Sequence, residues 1–257
     1  MRLLLSTVFA LFLTVSGLWA AVLDWSSVGW PGTAGNNLTS TYTNVQMSGV
    51  NVTVAFSGNT GTLQSGNPNT TSAQIGGTGK PSLQWDVLYP TSATAGITVT
   101  ITFSKPVYVQ NLNILDVDAT LSAGGWQDKI SAIQGLTAGG QTINAVSVVG
   151  GGSAVSVTGN SSTGWTAVGL QNTANSSTSN VSVGFGNSQV TQISFLYSPG
   201  PSQPSSPQAQ RIGFDNITFS LTPEVAPSLA AITLCGLVVL VRIRQEQKKK
   251  KRSKVTA

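Results

Sequence analysis

Apolar residues recur at every second position along much of the chain. Val50, Val52, Val54 and Phe56 alternate with polar neighbours, and Ile97, Val99, Ile101 and Phe103 do the same. A period of two sends successive side chains to opposite faces of a strand, so each run predicts a β-strand with one face buried. Shorter runs rich in Val, Ile, Thr and aromatics predict strands at Leu83–Tyr89, Val107–Leu115, Lys129–Ile133, Thr142–Val149, Ala154–Thr158, Asn180–Phe185, Val190–Tyr197 and Ile212–Leu221. Gly, Asn and Ser clusters separate them, and no stripe of helical period competes. About ten to twelve strands in one domain fit an all-β fold, a single jelly-roll-like β-sandwich over residues 21–222. The Pro/Ser/Gln stretch from Pro199 to Pro207 is followed by a good strand and reads as a loop inside that domain.

The pattern changes at both ends. Arg2 and the apolar run Leu3–Leu18, closed by Ala20 and Ala21, predict a signal peptide over residues 1–20. Residues 225–241 form a second apolar run that stops at Arg242-Ile243-Arg244 and Lys248-Lys249-Lys250-Lys251-Arg252. Seventeen helical residues reach about 25 Å, enough to cross a thin bilayer. The expectation is a transmembrane helix with the body outside and the basic tail, residues 242–257, in the cytoplasm.

The order Pro223-Glu224-Val225-Ala226-Pro227, apolar helix, Arg242 and Arg244 resembles the PEP-CTERM sorting signal of Gram-negative bacteria. Val225 stands where that family's second Pro is expected, the helix carries fewer Gly and the basic tail is longer. The resemblance covers residues 223–257. It implies recognition by an exosortase, removal of the tail, and delivery to the surface or the exopolysaccharide matrix.

Charge sharpens this division. The whole chain carries 13 Lys+Arg against 8 Asp+Glu, a formal +5. Residues 21–222 hold six acids (Asp24, Asp86, Asp116, Asp118, Asp128, Asp215) and four bases (Lys80, Lys105, Lys129, Arg211), hence −2. The basicity belongs to the tail, so the body offers no basic face to a nucleic acid. Ser, Thr and Asn number 78, which also accounts for seven Asn-x-Ser/Thr sequons at Asn37, Asn51, Asn69, Asn160, Asn175, Asn180 and Asn216.

Catalytic tools are scarce. There is no His, which removes Ser-His-Asp and Cys-His chemistry and imidazole metal sites, and the lone Cys235 lies in the C-terminal apolar run. Both Glu residues, Glu224 and Glu246, flank that run, so a glycosidase would have to work with Asp alone. The densest acidic region is Asp116-Val117-Asp118 followed by Trp126-Gln127-Asp128-Lys129. On a strand Asp116 and Asp118 share a face, and a loop through Gly124-Gly125 returns Asp128 towards them. Hard oxygens of this kind suit Ca²⁺, the one cofactor expected; solvated turn acids paired with Lys129 or capping amides are the alternative. Asp215 is a fourth candidate. The segment Ile212–Phe219 resembles the last strand of many secreted jelly-roll domains, whose Asp-Asn pair often lies close to a structural site; the alternative for Asp215 is a structural role in terminating or pairing the strand. Trp30, Trp126 and Trp165 sit among loop-like residues and are candidates for stacking on sugars, although Trp is also the largest core residue.

The expected function is therefore an exported, membrane-anchored or exosortase-sorted surface or matrix protein. Its β-domain is non-catalytic, structural or adhesive, with extracellular polysaccharide as the partner. The alternative is a secreted carbohydrate-active enzyme using Asp116, Asp118 or Asp128.

Overall fold

The computed structural model describes residues 20–31, 37–71, 75–89, 96–173, 176–204 and 207–221. The signal peptide, the apolar run 225–241 and the sorting residues Pro223, Glu224, Pro227, Arg242 and Arg244 lie outside them. Among the described residues no helix is long and apolar enough to cross a membrane.

Those residues form strands β1 (Ala21–Leu23), β2 (Thr39–Tyr42), β3 (Val52–Gly58), β4 (Asn69–Thr71), β5 (Ser82–Val87) and β6 (Ile97–Leu115). There follow β7 (Ala119–Thr120), β8 (Trp126–Leu136), β9 (Thr142–Asn144), β10 (Ser147–Gly150) and β11 (Val155–Asn160). The last are β12 (Gly164–Gly169), β13 (Val181–Gly184), β14 (Val190–Pro199), β15 (Gln210–Phe214) and β16 (Ile217–Ser220). A single α-helical turn, α1 (Trp25–Val28), is capped by Asp24, whose carboxylate accepts the Ser26 amide.

All the ladders are antiparallel. One layer runs β2–β3–β6–β14–β8–β12–β11, with β9 on the free part of β8. The other runs β4–β5–β15–β6–β13–β10, and β16 joins β6 to β1. The long strand β6 belongs to both. Its first half, Ile97–Phe103, pairs with β3 and β14, and its second half, from Tyr108, pairs with β16, β13 and β15. Between them Ser104 and Lys105 are exposed, and Pro106 has no amide to donate to either layer.

The layers meet through aromatic rings. Trp85 of β5, fully buried, lies 5.1 Å from Phe56 of β3, 6.5 Å from Phe195 and 6.1 Å from Tyr197 of β14, centroid to centroid. Burying rings of this size contributes roughly 1.5–3 kcal/mol each. This two-layer packing is the expected β-sandwich.

Several strand boundaries differ from the expectation. The two runs on either side of Pro106 are one strand, because the bend lets each half keep its own ladder. Near Gln110 the in-out alternation slips by one place, from buried Val109 to buried Leu112, where the register with β16 also shifts. The run Ile212–Leu221 is two strands, broken at Asp215-Asn216, and Thr142–Val149 is also two. Trp165, expected in a loop, lies in β12, opposite Gly159 of β11 in a tight hairpin.

Candidate functional site

A cleft of about 300 Å³ lies where the second layer meets the segment after β6. Asp86, Asp116, Asp118, Trp126, Gln210 and Arg211 line it, together with Ile75 and Ala209.

Strand register assembles most of this set. On β15 and β5, Arg211 is the direct partner of Asp86, and the guanidinium donates to both carboxylate oxygens, Nε to Oδ1 at 2.7 Å and NH2 to Oδ2 at 3.2 Å. That bidentate pair raises the guanidinium pKa further. Because β15 also pairs with the end of β6, Gly213 against Leu115, the chain leaving β6 runs beside Arg211 and Gln210.

Residues 116–118 leave the regular strand. Asp116 has φ of 65°, a left-handed conformation that short polar side chains tolerate best. Asn180 fixes the bend: its Oδ1 accepts the Asp116 amide at 3.2 Å while its Nδ2 donates to the Gly76 carbonyl at 2.7 Å. A Cβ at Gly76, itself at φ 58°, would collide with that carboxamide.

Asp118 and Asp128 are tied to each other. The Asp118 amide donates to Asp128 Oδ2 at 3.2 Å, and the Asp128 amide donates to the Asp118 carbonyl at 3.0 Å. Asp118 then accepts the Trp126 indole N–H on Oδ1 at 2.8 Å and the Thr173 amide on Oδ2 at 3.3 Å. Asp128 is fully buried and accepts the Tyr197 hydroxyl on Oδ1 at 2.7 Å. Gly169 makes room for this crossing, since a Cβ there would overlap the Asp118 backbone.

Burial dominates the electrostatics. It lifts the Asp116 carboxyl to about 6, with the Asp118 charge adding to the effect and the Ser179 hydroxyl and the Arg211 charge opposing it. Asp118 is also raised by burial, against the pull of the Trp126 and Thr173 N–H groups. Asp128 is raised furthest, by burial and then by the Asp118 charge, and Tyr197 is raised by burial and by the Asp128 charge.

Gln210 differs from its neighbours. It is 1% exposed and shares the buried face of β15 with Ile212 and Phe214, and neither Oε1 nor Nε2 of its carboxamide has a hydrogen-bond partner among the described residues. Leaving such a pair unsatisfied costs about 1–3 kcal/mol per group.

The sequence-predicted residues therefore divide. Asp116, Asp118 and Trp126 come together at the cleft, with Asp128 beneath them. Asp215 does not line it; its Oδ1 accepts the Asn216 amide at 2.7 Å and lies 3.9 Å from Lys80 Nζ. Among the described residues no group of three or more potential ligands is placed to hold a metal ion. The Asp118 and Asp128 oxygens accept protein donors and Asp215 is elsewhere, so the four carboxylates named from the sequence do not come together as one set. Trp30 is 8% exposed, packs edge-on against Phe56 and donates to the Asn37 carbonyl, so it is a core residue. Trp165 is half-buried and donates to the Ala145 carbonyl at 2.7 Å. The sequence did not single out Asp86, Gln210 or Arg211. Their cross-strand neighbours are more than a hundred residues away, and only the β5–β15 register brings them in.

A scan against protein-family models finds no match, and no curated protein matches the sequence. A solved structure described as GH31 CBM32-2 bound to GalNAc aligns with a TM-score of 0.33 and 12% identity, over 66% of this chain and 97% of that one.

Proposed function

We propose that the protein is an exported surface or matrix protein whose jelly-roll-like β-sandwich binds a saccharide without turning it over. The observation that carries this is the cleft, which Trp126 lines together with Asp86, Asp116, Asp118 and Arg211. An indole offers an apolar face to a sugar ring, while carboxylates and a guanidinium exchange hydrogen bonds with its hydroxyls. At about 300 Å³ the cleft is at the small end of ligand sites and suits a single sugar unit. The terminal sequence patterns support the setting: a leader over residues 1–20, a membrane segment at 225–241, and a sorting signal of the PEP-CTERM type that brings in an exosortase and a polysaccharide matrix.

Calorimetric titration of the full chain with a panel of oligosaccharides tests the binding reading. Saturable binding abolished by Trp126→Ala is expected, and no binding to any sugar would overturn it. Mass spectrometry of the C-terminus from cells tests the sorting. A cut between Pro223 and Ala231 is expected, and an intact Lys-rich tail reduces the segment to a plain single-pass anchor.

A second reading rests on Asp116, whose carboxyl at about 6 has the proton affinity a general acid needs. In that case the domain is an Asp-dependent carbohydrate-active enzyme. Turnover of a matrix polysaccharide that disappears in Asp116→Asn would establish it.

A further inference from the structure

The charges of the domain are unevenly placed along its strands. All six carboxylates lie away from the bend of β6 at Ser104–Pro106. Asp116 and Asp118 follow the far end of β6, Asp128 lies near the start of β8, and Asp86 faces Arg211 on β15. Asp24 follows β1 and Asp215 precedes β16, both at the far end of that ladder. Lys80 is beside Asp215 and Lys129 beside Asp128, so these regions together carry −3 (−6 + 3). The end where β6 bends and β16 stops carries only Lys105, at +1. Lys105 is exposed, and among the described residues it pairs with no carboxylate.

Apolar side chains stand out at that same end. The turn between β2 and β3 holds Met47 at 90% exposure. Asn44, Gln46 and Met47 there have left-handed φ of 48°, 47° and 58°, which side chains disfavour. The turn is braced in that form: Asn44 Oδ1 accepts the Gly49 amide at 2.8 Å, and Gln46 Oε1 accepts the Val22 amide of β1 at 2.9 Å. A Cβ on Gly49 would stand 3.0 Å from Lys105 Nζ, which places the ammonium at this turn. Leu221, also exposed, follows β16, and its carbonyl accepts Gln189 Nε2 at 3.2 Å. Exposed Val146 flanks the turn that carries Gln189, within 3.6 Å of a Cβ built on Gly186.

Single exposed apolar residues are ordinary on a protein surface. These three share the end from which the chain continues towards the apolar run 225–241. Leu221 is four residues before Val225, and four residues of chain reach at most about 14 Å. With that run in a bilayer, the end of β16 stands no farther than this from where the run begins. Apolar side chains and a cation, with no carboxylate among them, suit an anionic interface: the first enter the headgroup layer and the second meets phosphate. Turning the −3 regions to the same lipid would set like charges together.

Resting on the membrane-segment reading above, we infer that this end of the sandwich docks on the anionic phospholipid surface in which the chain is anchored, with Met47 entering the headgroup layer and Lys105 held by lipid phosphate. The second half of β6, Tyr108–Leu115, then sets the cleft roughly 23 Å from the docked end, at about 3.3 Å per residue, and facing away from the membrane.

The test reconstitutes the full chain in phosphatidylcholine vesicles with and without phosphatidylglycerol. An environment-sensitive fluorophore is placed at Met47→Cys or, as a control near the cleft, at Leu121→Cys, both in a Cys235→Ser background; a third sample is labelled at native Cys235. With phosphatidylglycerol present, the Met47 label should shift to the blue and be quenched several-fold more by a lipid-borne than by an aqueous quencher, and the Leu121 label should not. Lys105→Glu should cut that contact about five-fold. A Met47 label as open to water as the Leu121 label, with the Cys235 label lipid-protected, overturns the inference and leaves the anchor standing. A Cys235 label open to water overturns both. Contact that is equal in neutral vesicles, or untouched by Lys105→Glu, overturns docking on anionic lipid. A blue shift that persists in detergent and grows with protein concentration assigns the face to a second copy and overturns it as well.

Discussion

Two aspartate-bearing corners of this sandwich invite comparison. At the β15–β16 break, Asp215 and Asn216 hold the N-terminal segment in place. Asn216 Oδ1 accepts the Trp25 amide at 3.0 Å, its Nδ2 donates to Asp24 at 3.1 Å, and the Trp25 indole donates to the Asp215 carbonyl at 3.1 Å. The Trp25 ring then packs edge-on against Tyr42 and Phe214. Every polar group at that corner has a reason to be there that lies within the fold. At the other corner, Asp116, Asp118 and Asp128 are buried against one another's charge, and Gln210 is left with nothing to bond. Both corners are built from polar residues. What separates them is satisfaction: the first corner's polar groups are met within the fold, and at the second buried carboxyls and an unpartnered carboxamide cost stability.

The contrast can be broken most forcefully at the first corner. Trp25→Ala removes a fully buried indole and both ring contacts, and should cost roughly 3–5 kcal/mol in chemical denaturation. Saccharide affinity measured below the midpoint should stay unchanged. Asn216→Ala leaves the Trp25 amide without its acceptor, and a loss of about 1–3 kcal/mol is expected by the same measurement.

At the second corner the sign reverses with pH. A carboxyl whose proton affinity is raised by folding stabilises the native state while protonated. That contribution is complete below an ordinary carboxyl pKa of about 4 and is lost as pH rises through about 6, where Asp116 ionises in the fold. Asp118 and Asp128 act in the same direction. Thermal melts should therefore show a more stable domain at mildly acidic pH than at neutral pH, and Asp116→Asn should flatten that slope. A slope of the opposite sign would mean that these carboxyls are better solvated than their burial implies. The smallest effect is expected at Gln210. Replacement by Leu removes two unsatisfied groups, so the stability change should be near zero or a gain of about 1 kcal/mol.

Period-two alternation located most of this architecture in the sequence, because a strand with one buried face must alternate. Where it misled, a second constraint had intervened. Pro106 looked like a strand end but marks the point where β6 passes from one layer to the other. The weakly alternating Gly164–Gly169 owes its pairing to the hairpin with β11 and its edge on β8, and no local signal reports that. The acidic half of the cleft was legible as a concentration of Asp within a short stretch, and the return of Asp128 to Asp118 follows from the Gly124-Gly125 turn. The other half was not. Asp86 and Arg211 are ordinary surface charges in sequence, and Gln210 follows a Pro/Ser/Gln stretch in which one more Gln carries no message. Trp30 and Trp126 are alike in sequence, and only packing assigns the first to the core and the second to the cleft.

The pairing of β1 with β16 has one further consequence. Ala21 lies opposite Phe219, so the domain's first and last strands are neighbours in a single ladder. Its ends are close enough to be joined by a short peptide, and the chain can then be reopened elsewhere, for example at the exposed turn 161–163 between β11 and β12. A permuted chain of that kind would keep every ladder and the whole cleft while moving the points of attachment. The order of the strands along the chain and the cleft they build are thus separable properties.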